Sequence, residues 1–158
     1  MSAFDMGKLQ RELERDEGRR KRPYLDCCGA AWNVCTCTVK GKLTVGVGWN
    51  LDANGLPDDV IDILRDRGIK HAIEAVDAIE PLWVRLDDAR RRVLINMAFN
   101  LGPLGLSKFK RFLAALRSFI VDGSRKGDLV DEMKDSDWYK QVGVRGERLA
   151  DLMRDGEP

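Results

Sequence analysis

The sequence predicts an α+β protein, mainly helical and two-lobed, with a small antiparallel sheet in the N-terminal lobe, a long linking helix and a helical C-terminal lobe. Three features carry this. Between Tyr24 and Leu51, β-branched residues alternate with glycines in runs too short for helices; from Val60 to Ile79 apolar residues recur at helical spacing; and the later segments keep that spacing. At 158 residues the chain suits one well-filled core. A single domain over 1–158 is expected, with an N-terminal lobe at about 14–57, a linking helix at about 58–80 and a C-terminal lobe at about 81–158 that the start of the first helix, 1–13, joins.

Residues 3–17 form the first predicted helix. Met6, Leu9 and Leu13 follow a helical row, Glu12, Glu14 and Arg15 fall off it, and Gly18 suits the C-terminal cap. Glu17 continues the Leu9, Leu13 row at the next step of four. A glutamate at a helix end is ordinarily a solvated charge, but a place on the apolar row predicts partial burial, an environment that keeps a carboxyl protonated. Short strands follow, with Val34, Thr36, Thr38, Val39, Thr44, Val45 and Val47 as their β-branched residues. In the run TVGVGW, a period of two sends Val45, Val47 and Trp49 to one face and Thr44, Gly46 and Gly48 to the other. That second, near-bare face is either a site of bulges and curvature or a bed for an extended substrate.

Val60, Ile61, Leu64, Ala72, Ile73, Val76 and Ile79 define the next helix, about 20 residues and roughly 30 Å long, weakened at Gly68 and stopped by Pro81. Further helices are predicted at 87–100, 107–121, about 126–134 and 145–155. Gly102-Pro103, Gly105, Asp122-Gly123 and Gly143 separate them.

Composition narrows the function. Hydrophobic residues at 44% and charged residues at 34% describe an ordinary globular protein. Acidic and basic side chains balance, 26 against 27, which argues against a nucleic-acid binder. No apolar run approaches the roughly 20 residues of a membrane span, and the opening MSAFDMGKLQRELERDEG lacks the apolar stretch of a signal peptide. Synthesis in the cytoplasm is expected, and no cofactor is.

Two carboxylates, Glu17 and Asp26, flank a basic, proline-containing turn in EGRRKRPYLD. Together with the strand LTVGVG carrying Thr44, the segment LDDARRRVLINMAFNLG (86–102) and the segment SDWYKQVGVRGER (136–148), this pair resembles, in the same order, the phage-type lysozymes, glycoside hydrolase family twenty-four. The resemblance implies a lysozyme-like fold and an endolysin that hydrolyses the β-1,4 bond between N-acetylmuramic acid and N-acetylglucosamine in peptidoglycan. Residue by residue, it puts the general acid on Glu17, the second carboxylate on Asp26 and the family's threonine on Thr44. Such cleavage needs an acid for the departing oxygen and a carboxylate that activates water or steadies an oxocarbenium-like centre. Thr44 can hold that water. The family inverts, which implies carboxyl groups roughly 6.5 to 9.5 Å apart.

Arg145 corresponds to an arginine that pairs with the catalytic glutamate; without its flanking motif it reads as a surface arginine near a helix start. Phe99 and Asn100 fall on the family's cleft-lining turn, where Asn100 either bonds a sugar or caps the helix before Gly102. The implied partner is the glycan strand of peptidoglycan. A monomer is expected, acting on the wall after a separate holin-like protein releases it across the inner membrane.

The chain departs from that family between Asp26 and Thr44, where 17 residues intervene instead of a short link. The inserted hairpin holds all four cysteines, with Cys35 and Cys37 expected on one face of a strand and Cys27 and Cys28 opposite. Disulfides in any of three pairings, free thiols or a zinc ion fit this grouping. The spacing CC-x6-C-x-C is not a common zinc signature, and adjacent cysteines do not easily ligate one ion. Disulfides would form only outside the reducing cytoplasm. His71, the sole histidine, sits on the linking helix, so no Cys/His catalytic pair is suggested. Trp49 stands where many relatives carry histidine; it either packs in the core or stacks on a sugar face. Two other functions account for less of the sequence. A lytic transglycosylase uses a single acid and leaves Asp26 and Thr44 unexplained, and a catalytically idle wall-binding or phage structural module leaves all three unexplained.

Overall fold

The computed structural model describes residues 5–31, 33–38 and 41–156. The order of elements is that of a mainly helical α+β protein: α1 (Met6–Glu17), β1 (Arg20–Leu25), β2 (Leu43–Gly46), β3 (Trp49–Asn50), the one-turn α2 (Leu51–Asn54), α3 (Asp58–Ile79), a 3-10 turn (Pro81–Arg85), α4 (Asp88–Ser107), α5 (Lys110–Asp122), α6 (Lys126–Lys134), α7 (Asp137–Val142) and α8 (Val144–Asp155). The chain forms two compact units, one running to Asp62 and the other from Ile63, so the boundary falls inside α3.

In the N-terminal unit, Asp5 caps α1 by accepting from the Lys8 N–H at 3.0 Å. Gly18, at φ 74, ends the helix and donates its own N–H to Glu14 O. This agrees with the predicted C-cap; residues 3 and 4 of the predicted helix lie outside the described residues. The expected burial of the row is not found, since no residue of α1 is buried and Met6, Leu9 and Leu13 are all exposed. Helical spacing states which side chains share a face, not whether anything covers that face.

The sheet is antiparallel in the order β1-β2-β3. Leu25 pairs with Leu43, Tyr24 with Thr44 and Arg20 with Gly46, with an irregularity between Arg20 and Tyr24. Pro23 lies in that gap, where a residue lacking an N–H interrupts the ladder at least cost. The run TVGVGW is not one strand, as the alternation suggested, but a hairpin. Val45 pairs with Trp49, Thr44 pairs with Asn50, and the chain reverses between them. Gly46 and Gly48 have φ of 67° and 71°, a conformation that lets glycine close the turn where a side chain would be strained. Val34, Thr36 and Thr38, expected in strands, lie in the loop between β1 and β2, and Val39 is outside the described residues.

The C-terminal unit is helical and contains the main core, which includes Val76, Leu94, Met97, Leu106, Phe112, Leu116, Leu129, Met133 and Met153. α3 matches the predicted span, and Gly68 does not break it. The glycine instead leaves room for an aromatic ring: a Cβ there would lie 2.5 Å from Phe99 Cε2. The predicted stop before Gly102 is a kink within α4, where Gly102 adopts φ 67 and ψ 172 and Pro103 opens the next turns. α7, capped by Ser136 Oγ accepting from Tyr139 N at 3.1 Å, is an additional short helix that the spacing did not separate. Two buried charges have partners: Arg90 donates to the Met153 and Arg154 carbonyls at the end of α8, at 2.8 and 2.7 Å, and Glu80 accepts through Oε2 from Arg117 at 2.8 and 2.9 Å.

The approach of α7 to α8 depends on Gly146, which is buried. A Cβ there would meet Tyr139 Cδ2 at 2.9 Å, Val142 Cγ2 at 3.1 Å and Tyr139 O at 3.2 Å. In an open helix, Gly→Ala gains about 1 kcal/mol; here overpacking of about 1 to 3 kcal/mol opposes it. Gly146→Ala is therefore expected to lower stability, read as a reduced urea midpoint with an unchanged slope; a raised midpoint would refute the tight packing.

Candidate active site

Three sequence-predicted residues, Glu17, Asp26 and Thr44, lie in the N-terminal unit, on the end of α1, just past β1 and within β2. The joint between the two strands is a pair of backbone hydrogen-bonding residues. Asp26 N–H donates to Lys42 O at 3.2 Å, and Lys42 N–H donates to Asp26 Oδ1 at 2.7 Å. The catalytic candidate thus takes the place of a strand carbonyl in its own ladder. Thr44 Oγ1 donates to that same Lys42 O at 3.1 Å. Asp26 and Thr44, with 17 residues between them in sequence, are in this way hung on one peptide carbonyl. Asp52 fixes the neighbouring residue, Oδ2 accepting from Leu43 N at 2.9 Å. Carboxylates therefore hold two consecutive N–H groups at the start of β2, and charge-assisted bonds of this kind are stronger than ordinary backbone pairs.

Thr44 is buried, and its hydroxyl bond to Lys42 satisfies the donor that burial would otherwise strand. Its lone pairs remain able to accept. Asp26 is exposed. Glu17 is exposed as well, which corrects the expectation of partial burial: it is the last residue of a helix with no buried side chain. Its carboxylate lies over the turn of the β2–β3 hairpin, where a Cβ on Gly48 would come within 3.1 Å of Oε2 and 3.5 Å of Cδ. Gly48 thus serves two ends, a positive φ and a clear approach for Glu17. Sequence reasoning missed this contact, as it missed the Lys42 backbone and Asp52; the repeated glycines of GVG were the available signal for the first, and the other two had none.

Trp49 is neither core nor free. It is 41% exposed, and its indole N–H donates to Gly55 O at 2.7 Å, which corrects the core-packing reading and sets the ring across the loop after α2.

Among the described residues the cysteine segment is a loop with an isolated bridge, Tyr24 to Ala31, and Cys35 and Cys37 do not lie on a strand as expected. The four sulfurs nevertheless converge, all within 4.8 Å of one another. The Cys35 thiol is lowered to about 7, first by the backbone hydrogen bond of Cys37 and then by the Cys27 and Cys28 thiols. Cys37 is pushed up to about 12, chiefly by the thiols of Cys35, Cys28 and Cys27.

The remaining candidates belong to the C-terminal unit. Phe99 is 51% exposed with its ring against Gly68. Asn100 does not cap a helix end: Oδ1 accepts from Trp138 Nε1 at 3.0 Å, fixing the carboxamide within α4. Arg145 is half-buried in the first turn of α8, and its Nε is buried without a hydrogen-bond partner among the described residues.

No family model matches the chain. Among curated proteins, the probable T4-type lysozyme 2 of Dictyostelium discoideum is 22% identical over 180 residues, covering 96% of each chain. The pre-baseplate central spike protein Gp5 of Enterobacteria phage T4 is 29% identical over 98 residues, 62% of this chain and 15% of that protein. The probable T4-type lysozyme 1 of Dictyostelium discoideum is 26% identical over 85 residues, 54% of this chain and 47% of the other. The match to the probable T4-type lysozyme 2 runs end to end, over 96% of both chains, on a helical protein with a small N-terminal sheet, so the chain is a homologue of the T4-type lysozymes, which are glycoside hydrolases.

Proposed function

We propose that the chain cleaves the β-1,4 bond between N-acetylmuramic acid and N-acetylglucosamine in peptidoglycan, with inversion at the anomeric carbon. In this reading Glu17 protonates the departing oxygen and Asp26 draws a proton from the attacking water. The observation that carries it is the shared Lys42 carbonyl, which fixes Asp26 and Thr44 relative to each other. Because the Thr44 hydroxyl spends its proton on Lys42 O, it can only accept from a water. A water donating one hydrogen to Thr44 and the other to Asp26 keeps a lone pair free for the sugar carbon. A carboxylate alone would not orient it so.

An inverting mechanism needs room for that water, hence carboxyl groups roughly 6.5 to 9.5 Å apart. Glu17, at the end of α1 over Gly48, and Asp26, just past β1, are placed by different elements, which suits a gap rather than a contact. On the family resemblance alone, Arg145 is proposed as the arginine that serves the general acid, and Phe99 and Asn100 as glycan-binding residues. The biological setting we propose is that of an endolysin, made in the cytoplasm and reaching the wall once a separate holin-like protein opens the inner membrane. No helix among the described residues is long and apolar enough to cross a membrane.

Glu17→Gln is expected to cut clearing of a purified peptidoglycan suspension by at least about 100-fold, within the range for a lost general acid, with circular dichroism and melting temperature unchanged. Activity above about a tenth of the parent would remove Glu17 from the role. Asp26→Asn should be similarly impaired, and mass spectrometry of fragments from the parent enzyme should show hydrated reducing ends; anhydro sugars would identify a transglycosylase instead. Gly48→Ala separates position from chemistry. The left-handed backbone costs a side chain about 1 to 2 kcal/mol, and the new methyl presses on Glu17, so turnover should fall while Glu17 itself is intact. Unchanged turnover would mean that the carboxylate does not depend on this turn.

A further inference from the structure

The four cysteines of the insertion form a cluster that the proposed hydrolysis does not use. Cys27 Sγ lies 3.7 Å from Cys28 Sγ and 3.5 Å from Cys35 Sγ, and Cys28 Sγ lies 3.5 Å from Cys35 Sγ. With Cys37 included, every sulfur is within 4.8 Å of every other. Four thiolates set about 2.3 Å from one zinc ion at tetrahedral angles stand about 3.8 Å apart. The observed separations are close to that edge length and well beyond the roughly 2.05 Å of a sulfur–sulfur bond. Pairwise disulfides would gather the sulfurs in twos, whereas here three mutually close sulfurs share one centre with the fourth beside them.

The backbone explains how adjacent cysteines can face the same centre. Gly29, at φ 67, closes a tight turn in which both its N–H and that of Cys28 point back to Leu25 O, at 2.8 and 3.4 Å. The turn folds Cys27 and Cys28 onto one side. A second turn, Val34 N–H to Ala31 O at 3.0 Å, sends Cys35 and Cys37 back toward them. At the neck, Gly41 passes so close to Cys27 that a Cβ would lie 2.4 Å from its N and 2.3 Å from Asp26 Oδ1. The cluster therefore sits at the root of the insertion, one residue from Asp26.

We propose that Cys27, Cys28, Cys35 and Cys37 bind one zinc ion as a tetrathiolate structural site that closes the insertion beside Asp26. Soft thiolates in tetrahedral array select zinc or iron among the available metals, and a single centre at these separations fits one ion better than an iron–sulfur cluster, in which the cysteines bind different irons. With four protein ligands the ion has no open position for water, so its part is structural. It would be loaded in the reducing cytoplasm, where the thiols are free.

The test is metal content of the full chain, purified anaerobically without chelators and measured by mass spectrometry alongside native thiol titration. One zinc per chain is expected, with thiols that react slowly until a chelator is added. Cobalt(II) substituted for zinc should give the visible bands and thiolate charge-transfer absorption of a tetrahedral sulfur site. Cys28→Ser should weaken zinc binding at least about 100-fold, since even outer partners of a site are worth 10- to 100-fold, and removing zinc should lower the melting temperature of the parent. The cobalt spectrum is read on the unaltered chain, so it stands even where the serine variant fails to fold. Glu17→Gln should bind zinc as the parent does, which keeps this result independent of the hydrolytic assignment. A metal-free protein with four reactive thiols, or one isolated with disulfides, would overturn the site, and stoichiometric iron would overturn the choice of ion.

Discussion

The candidate catalytic geometry depends on one pair of hydrogen bonds, those between Asp26 and Lys42. They close the insertion, begin the pairing of β1 with β2, and set the carbonyl on which Thr44 hangs its hydroxyl. Closing a loop costs entropy that grows only slowly with length, about 0.6 kcal/mol for each doubling. A long insertion is therefore tolerable at this position provided that its ends are clamped. The Asp26 carboxylate supplies part of the clamp, and Asp52 on Leu43 N–H braces the strand just beyond it. Structure and the proposed chemistry meet in the same side chain, since Asp26 Oδ1 serves the ladder and leaves the second oxygen for the proposed reaction.

What could be read in the sequence follows the range of the forces involved. α1, α3 and the later helices were legible because their spacing and terminators are local: Gly18 ends one, and Pro81 follows the end of another. The hairpin at Gly46 to Gly48 was misread as a strand because large-small alternation satisfies both a period of two and a turn that needs positive φ at its glycines. Which one prevails is decided by pairing with Asn50 and Trp49, a non-local choice. The site residues were named by likeness of ordered motifs, not by their physics. Nothing in the neighbourhood of Lys42 marks its backbone as the joint between Asp26 and Thr44.

Burial was the least legible property. Glu17 stands on an apolar row and is exposed, because the row itself, Leu9 and Leu13, is exposed. Thr44, a small polar residue on the near-bare face, is buried and kept neutral in cost by a bond to a carbonyl two residues away. Asn100 could have been a sugar ligand or a helix cap by its position; the indole of Trp138 occupies its side-chain oxygen and makes it a fixed part of the C-terminal unit. For Asn100 the deciding partner is 38 residues away; for Thr44 it is near in sequence, but only the strand conformation brings it within reach.

A base that must aim a water tolerates little movement, and proximity effects are lost with displacements of about an ångström. Asp26 is followed at once by Cys27, in a turn whose return strand passes Gly41 at van der Waals limits. Motion of the loop would be transmitted to that carboxylate through a single peptide unit. A centre that binds residues 27, 28, 35 and 37 together restrains the loop where it joins the sheet and leaves its outer part free to vary. The position of the cluster, and not only its composition, is what favours a structural bond there: the same four thiols at the loop tip would restrain nothing that the proposed reaction needs.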